Sequence, residues 1–224
     1  MKYLAFVTDY DGTIAHHSKV PESTVAELRK LAASGRKLIL CTGREIRFLR
    51  PDFPELDLFD LVVAENGATV YNPKTDEETL LCEPPNIGFV QALKAQGVEP
   101  LSVGKAIVAT WEPHDKTVLN EIRRQRLNLD VILNKGAVMV LPSGVTKASG
   151  LAAALHELGI SRHNTVGVGD AENDQAFLKM CEFSAAPSNA LLAIKENVNL
   201  VMTKDHGQGV EELIEAILKD DDNS

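Results

Sequence analysis

Short apolar runs recur along this chain at 3–9, 37–41, 61–64, 165–168 and 183–186, and segments with helical periodicity separate most of them. Runs of this length bounded by turn residues read as strands buried on both faces. Helical patterns lie between them: 21–34, with Val25, Leu28 and Leu31 on one face and Gly35 past the end, a short helix closed by Pro51 and Pro54, then 148–158, a helix from 175, and 209–218. Strands alternating with helices predict an α/β fold, a doubly wound, Rossmann-like parallel sheet with helices on both faces. Ligands of such a sheet bind at the carboxyl ends of its strands.

Between about 76 and 143 the rhythm changes. Asn72-Pro73 and Glu83-Pro84-Pro85-Asn86 are loop signals, 88–96 and 114–126 read as helices, 103–111 as extended, and 129–133 with 137–141 as a hairpin about Asn134-Lys135-Gly136. This predicts a small α+β insertion, residues 76–143, in a core built from 1–75 and 144–224. Residues 68–71 are expected to form a hairpin arm after the Asn66-Gly67 turn.

The first run ends in Thr8-Asp9-Tyr10-Asp11-Gly12-Thr13. In an extended chain residues i and i+2 project to one side, so Asp9 and Asp11 are expected to face one reacting centre while Gly12 turns the chain away. One carboxylate can then attack phosphorus while the other handles protons. A strand followed by an Asx-type turn is the plain alternative. An EF-hand is excluded, because its Gly and Glu positions counted from Asp9 fall at Ile14 and Val20.

Three further signals follow at strand ends or helix starts. After 37–41 comes Thr42-Gly43-Arg44, where Thr42 can donate to a phosphate oxygen and Gly43 is expected to open a helix whose N–H groups favour an anion. Lys147 stands at the start of an Ala- and Leu-rich helix, where its charge opposes the macrodipole, so it reads as an ammonium aimed at phosphate rather than a solvated surface lysine. Gly169-Asp170-Ala171-Glu172-Asn173-Asp174 supplies oxygen ligands for a hard divalent cation. A dinucleotide fingerprint is rejected there, since its third glycine would fall at Glu172.

Together these motifs resemble the haloacid dehalogenase-like superfamily, and within it the Cof-type phosphatases, which carry a cap domain between the second and third motifs. The Glu65-Asn66-Gly67 turn is similar to the segment that precedes the cap in that subgroup. The resemblance implies a phosphomonoester hydrolase acting on a small phosphorylated metabolite such as a phosphosugar, phosphoglycolate or phosphoglycerate. It implies Asp9 as nucleophile and Asp11 as general acid and base. Gly12, Thr42, Gly43, Arg44, Lys147 and Asn173 would hold phosphate or substrate, and Mg²⁺ would be held by Asp9, the Asp11 backbone carbonyl, Asp170 and Asp174. A phosphosugar mutase would use the same motifs with a sugar hydroxyl as acceptor, and a non-catalytic phosphate-binding or regulatory domain is the alternative outside enzymology. In the insertion, Trp111, Glu112 and Lys135 offer a stacking face, a hydroxyl acceptor and an anion partner for the leaving group.

Composition narrows the setting. A net charge of −9 over 224 residues argues against general binding to nucleic acid or an anionic membrane. No stretch reaches the roughly 20 apolar residues of a membrane span, and no signal-peptide pattern precedes the first strand. Cys41, Cys82 and Cys181 are odd in number and widely spaced, which predicts reduced thiols in a cytoplasm. Cys41 reads as a small buried hydrophobe. The adjacent His16 and His17 are expected to point apart on an extended flap, and the Asp-Asp-Asp-Asn-Ser segment 220–224 to form a solvated tail.

Overall fold

Alternation along β1 (Ala5–Asp9) organises the molecule, since Phe6 points into one apolar cluster while Ala5 and Val7 point into another on the opposite face. The structure is a computed structural model and describes residues 2–222. β1 lies between β2 (Lys37–Cys41) and β10 (Thr165–Val168), parallel to both. Parallel pairing continues through β3 (Leu61–Ala64) on one side and through β11 (Phe183–Ala186) and β12 (Leu200–Val201) on the other. β4 (Thr69–Asn72) and β5 (Glu77–Leu80) then add antiparallel at the edge, giving the order β12-β11-β10-β1-β2-β3-β4-β5.

Helices cover both faces, as the alternation requires. The Phe6 face packs on α1 (Glu22–Ala33), α2 (Ile46–Asp52) and α8 (His206–Asp222) through Leu28, Leu49 and Leu213 among others. The Ala5 and Val7 face packs on α5 (Lys147–Glu157), α6 (Gln175–Met180) and α7 (Leu192–Lys195) through Leu151, Phe177 and Ile194. The chain proceeds from β1 towards β2 and β3, and later returns on the other flank as β10. That reversal opens a crevice at the carboxyl end of β1, the usual ligand position in such sheets.

The inserted unit is a four-stranded antiparallel sheet, order β6-β7-β9-β8, from β6 (Ser102–Val103), β7 (Val108–Trp111), β8 (Leu129–Asn134) and β9 (Ala137–Pro142). One face packs on α3 (Ile87–Ala95) and α4 (Asp115–Gln125) around Phe89, Leu93 and Val118. The other presents Ile107, Met139 and Leu141 to Ala68 of the core. Three expectations change. The insertion does not start at 76, because β5 pairs with β4 and belongs to the large sheet. The extended stretch 103–111 is broken into β6 and β7. The acidic end is not loose through its length: Asp221 lies in α8 and pairs with the buried Arg36 at 2.5 Å, while Asn223 and Ser224 lie outside the described residues.

No described helix is long and apolar enough to cross a membrane.

Candidate active site

β1 delivers the Asp9 carboxylate to the floor of the crevice, where it is almost completely buried. Asp170, just past the end of β10, and Asp174, at the end of the 3-10 turn Glu172–Asp174, join it. One oxygen from each of the three lies within 4.8 Å of the others, and all three residues are buried.

Each carboxylate is held in place. Lys147, the first residue of α5, is buried and donates from Nζ to Asp9 and, at 2.6 Å, to Asp174 Oδ1. Thr146 caps that helix through a reciprocal pair with Ser149, so the lysine backbone is fixed at a defined helix start. The other Asp174 oxygen accepts the backbone N–H groups of Asp170 and Ala171 at 2.9 and 3.0 Å. Thr13 Oγ1 lies 3.2 Å from Asp9 Oδ2 and 3.1 Å from Asp170 Oδ1, and can donate to either. The second Asp170 oxygen accepts from Lys135 Nζ at 2.5 Å, a side chain from the inserted sheet.

Electrostatically the triad is one charge short. Burial, then the neighbouring Asp174 carboxylate, push the Asp9 carboxyl well above the ordinary aspartate range, and Lys147 offsets this only in part. Burial likewise raises Asp170, against the pull of Lys135. Burial alone would lower Lys147, but the carboxylates of Asp174 and Asp9 outweigh it and hold the ammonium charged. Three carboxylates facing two ammonium groups leave a net negative site built from hard oxygen donors. A divalent cation such as Mg²⁺ fits it by charge and by donor chemistry. Asn173, in the same turn, carries a buried Oδ1 without a hydrogen-bond partner, a further oxygen of the same kind.

Asp11 stands elsewhere. β1 ends at Asp9 and the chain folds at once into a turn, with the Gly12 and Ala15 N–H groups bonded to the Ala15 and Tyr10 carbonyls, so the i, i+2 rule for an extended chain no longer applies. Gly12 has φ +91, and a Cβ there would run into the Asp170 carboxylate. The Asp11 carboxylate is half exposed and held by Arg44 through two bonds of 2.6 Å each. Arg44 also binds Asp52 at 2.6 Å and Ser18 Oγ at 2.5 Å, over the Tyr10 ring. Its donors are therefore engaged with protein acceptors and not with the triad.

Thr42 is buried directly after β2, and its Oγ1 accepts the Arg44 N–H at 3.1 Å, leaving its own proton to donate. Gly43 does not open a helix as its position suggests, because α2 begins at Ile46. What Gly43 permits is approach: a Cβ there would sit 3.3 Å from the Asn66 amide.

Asn66 belongs to a junction that the sequence marks only as a turn before the insertion. Glu65, Asn66 and Gly67 have φ +48, +53 and +101, three consecutive left-handed residues of which two are not glycine. Strain of this sort persists where surrounding bonds over-determine it. The Glu65 and Asn66 N–H groups donate to the Arg44 and Thr42 carbonyls, each at 3.0 Å. Asn66 Oδ1 accepts from Asn173 at 2.9 Å, and Asn66 Nδ2 meets Met139 Sδ in the inserted sheet. A Cβ on Gly67 would overlap the Thr146 carbonyl at the base of α5. The buried Glu65 carboxylate accepts three backbone N–H groups of the insertion, Lys105, Ala106 and Ile107, at 2.8 to 2.9 Å. Glu65→Gln puts an NH₂ where one oxygen now accepts, at an expected cost of about 1–3 kcal/mol for the amide left unpaired. Faster hydrogen exchange at 105–107, with slow exchange retained in β1, is the expected signature.

The triad thus gathers Asp9, Asp170, Asp174 and Lys147 from the sequence motifs, with Asn173 beside it, while Asp11 and Arg44 pair with each other at the rim. Thr13 and Glu65 were not singled out by sequence. A hydroxyl two residues beyond the second acid and an acid at the start of a left-handed turn were the available signals. His16 and His17 do not diverge: His17 and Ser18 have φ +50 and +64, which closes a small hairpin and brings the two rings to 4.0 Å, with His206 stacked on His16 at 4.4 Å. Cys41 is fully buried, and burial pushes its thiol well above the usual range, as suits a core residue.

Known proteins agree with this architecture. A phosphoglycolate phosphatase of Methanosarcina acetivorans is 26% identical over 220 residues, covering 96% of each chain. Among solved structures, a haloacid dehalogenase-like hydrolase from Bacteroides thetaiotaomicron superposes with a TM-score of 0.83 at 20% identity, covering 96% of this chain and 100% of that one. A sugar phosphatase of HAD subclass IIB gives 0.79 at 19% identity over 95% and 98% of the two chains. The sequence profile of the haloacid dehalogenase-like hydrolases matches residues 6–84 and 99–214, a span that contains every element of the crevice. The chain belongs to that family.

Proposed function

We propose that this chain is a Mg²⁺-dependent phosphomonoester hydrolase that works through an aspartyl-phosphate on Asp9 and acts on a small phosphorylated metabolite. The observation that carries this reading is the buried Asp9 carboxylate at the carboxyl end of the central strand, gripped by Lys147 and Thr13 within an acidic triad. The curated relative named phosphoglycolate phosphatase supports the substrate class.

Asp9 attacks phosphorus in line: a bond forms from its carboxylate oxygen while the ester P–O bond breaks, and the leaving alkoxide takes a proton from Asp11. Water, deprotonated by Asp11, then attacks phosphorus, and the bond to Asp9 breaks to release phosphate. Lys147, the Thr42 hydroxyl and nearby backbone N–H groups stabilise charge on the equatorial oxygens. Arg44 occupies both Asp11 oxygens, so release of that pair precedes proton transfer. Arg44 then becomes available to an anion. Asp9, the Asp11 backbone carbonyl, Asp170 and Asp174 would hold Mg²⁺, which would supply charge neutralisation and Lewis-acid polarisation at the phosphoryl group. The insertion, from just beyond Leu80 to 143, serves as a cap that contacts the leaving group. Three free cysteines support a reducing, cytoplasmic setting.

Phosphate release from 2-phosphoglycolate, glycerol phosphates and hexose phosphates, with and without Mg²⁺, tests the activity. Metal binding has its own readout. Saturation at a hundredfold excess over Kd should stabilise the fold by about 2.7 kcal/mol, which for a chain of this size raises Tm by about 5–10 °C. An unchanged Tm between chelator and millimolar Mg²⁺ would count against the triad as a cation site.

A further inference from the structure

β8 and β9 pair through Asn134 and Ala137, so Lys135 and Gly136 alone form the turn, with φ +49 and +87. Two-residue turns of this hand prefer Asn, Asp or Gly at the first position, so conformational preference gives no reason for a lysine there. Its side chain is half exposed, which removes core packing as the reason. Among the described residues it is the one side chain of the insertion with a polar contact to the triad, through Asp170. Asp170 outweighs the effect of burial and keeps that ammonium charged.

Charge and direction both bear on Lys135 once substrate is present. A divalent cation together with Lys147 balances three carboxylates without help. Lys135 is then surplus on Asp170, whose oxygen the cation needs. In-line attack places the leaving group opposite Asp9. Asp9 rises from the floor of the crevice, and the inserted sheet lies over the same site, with Met139 against Asn66 and Lys135 against Asp170. A displaced Lys135 ammonium therefore faces the leaving group rather than the phosphoryl oxygens.

We propose that Lys135 is the specificity-determining residue of the insertion, parked on Asp170 and released, when a cation claims that oxygen, to bind a carboxylate on the leaving group, so that the preferred substrates are short phosphorylated hydroxy acids. This rests on the phosphatase reading above. A lysine this close to the triad favours a short leaving group, with the half-exposed Trp111 beside Gly136 on the outer side.

The experiment compares Lys135→Met and Lys135→Arg with the parent on 2-phosphoglycolate and on 2-hydroxyethyl phosphate, which has the same carbon count and no carboxylate. The ratio of kcat/KM for acid over alcohol should fall about 30-fold in Lys135→Met, the scale of one lost charge-assisted contact in a specificity pocket. Lys135→Arg should recover most of it. In the absence of any ester, Mg²⁺ titrations followed through Trp111, the sole tryptophan, should show tighter binding in Lys135→Met because the competing ammonium is gone. Equal losses on both esters would make Lys135 a phosphoryl ligand or a structural latch and overturn the assignment. An unchanged ratio overturns it too, and unchanged Mg²⁺ affinity removes the parked state. If the parent hydrolyses neither ester, the phosphatase reading is decided separately on the glycerol and hexose phosphates. Calorimetric binding of 2-phosphoglycolate to the Mg²⁺ form then still decides for Lys135 if Lys135→Met binds about 30-fold more weakly, and against it if the two bind equally.

Discussion

Asp9→Asn will lower turnover by about 10⁵-fold or more, the scale expected when a covalent nucleophile loses its charge. The fold should survive, because the amide keeps the shape of the side chain, Thr13 can still donate to its oxygen, and Lys147 keeps Asp174 at 2.6 Å. Removing one of three buried carboxylates from a site short of positive charge also relieves repulsion, so Tm in chelator should stay level or rise. Circular dichroism and single-turnover phosphate release make the measurement. Release within tenfold of the parent rate would transfer the nucleophile's role to another group.

Lys147→Met will be the most destabilising single change at the site. The lysine is buried, and its ammonium is shared by Asp9 and Asp174, both buried as well. Truncating one partner of a buried ionic cluster costs about 3–5 kcal/mol, because the charges left behind keep their desolvation penalty. For a chain of this length that corresponds to a fall in Tm of about 6–20 °C. The loss should be largest in chelator and partly restored by Mg²⁺, which supplies positive charge to the same oxygens. Turnover should fall as well, by about 10²–10³-fold, since a fixed charge near the equatorial phosphoryl oxygens is gone. A Tm in chelator within 2–3 °C of the parent, about 1 kcal/mol at this size, would mean that Lys147 does not neutralise the triad.

The central strands were legible because each is a short apolar run with helical sequence nearby, and burial on both faces leaves no other use for such a run. Asp9, Asp170, Asp174 and Lys147 were legible for the same reason, as each follows a strand or opens a helix at the same end of the sheet. β5 was not. Its residues Glu77-Glu78-Thr79-Leu80 form a largely exposed edge strand with no apolar period, and only pairing with β4 defines it. α7 and β12, at four and two residues, are too short to carry a periodic signal. Asp11 was misplaced because strand geometry was extended past the residue where β1 ends. Left-handed Asn66 and Gly67 accord with the Asn-Gly signal, but Glu65 at φ +48 is invisible locally, since nothing in its own residue type favours that conformation and its support comes from Arg44 and the amides of 105–107.

The two seams of the insertion are unequal, and this bears on how such enzymes could be recombined. The entry seam, 81–86, is mostly exposed, contains Pro84 and Pro85, and follows an edge strand, so chain length there is loosely constrained. The exit seam has only the residues 143–146 between the end of β9 at Pro142 and the buried ammonium of Lys147. A foreign cap grafted onto this core would tolerate a ragged first junction. At the second, a single residue gained or lost would pull on the charge that grips Asp9, so a library of chimaeras should sort by its downstream splice far more sharply than by its upstream one.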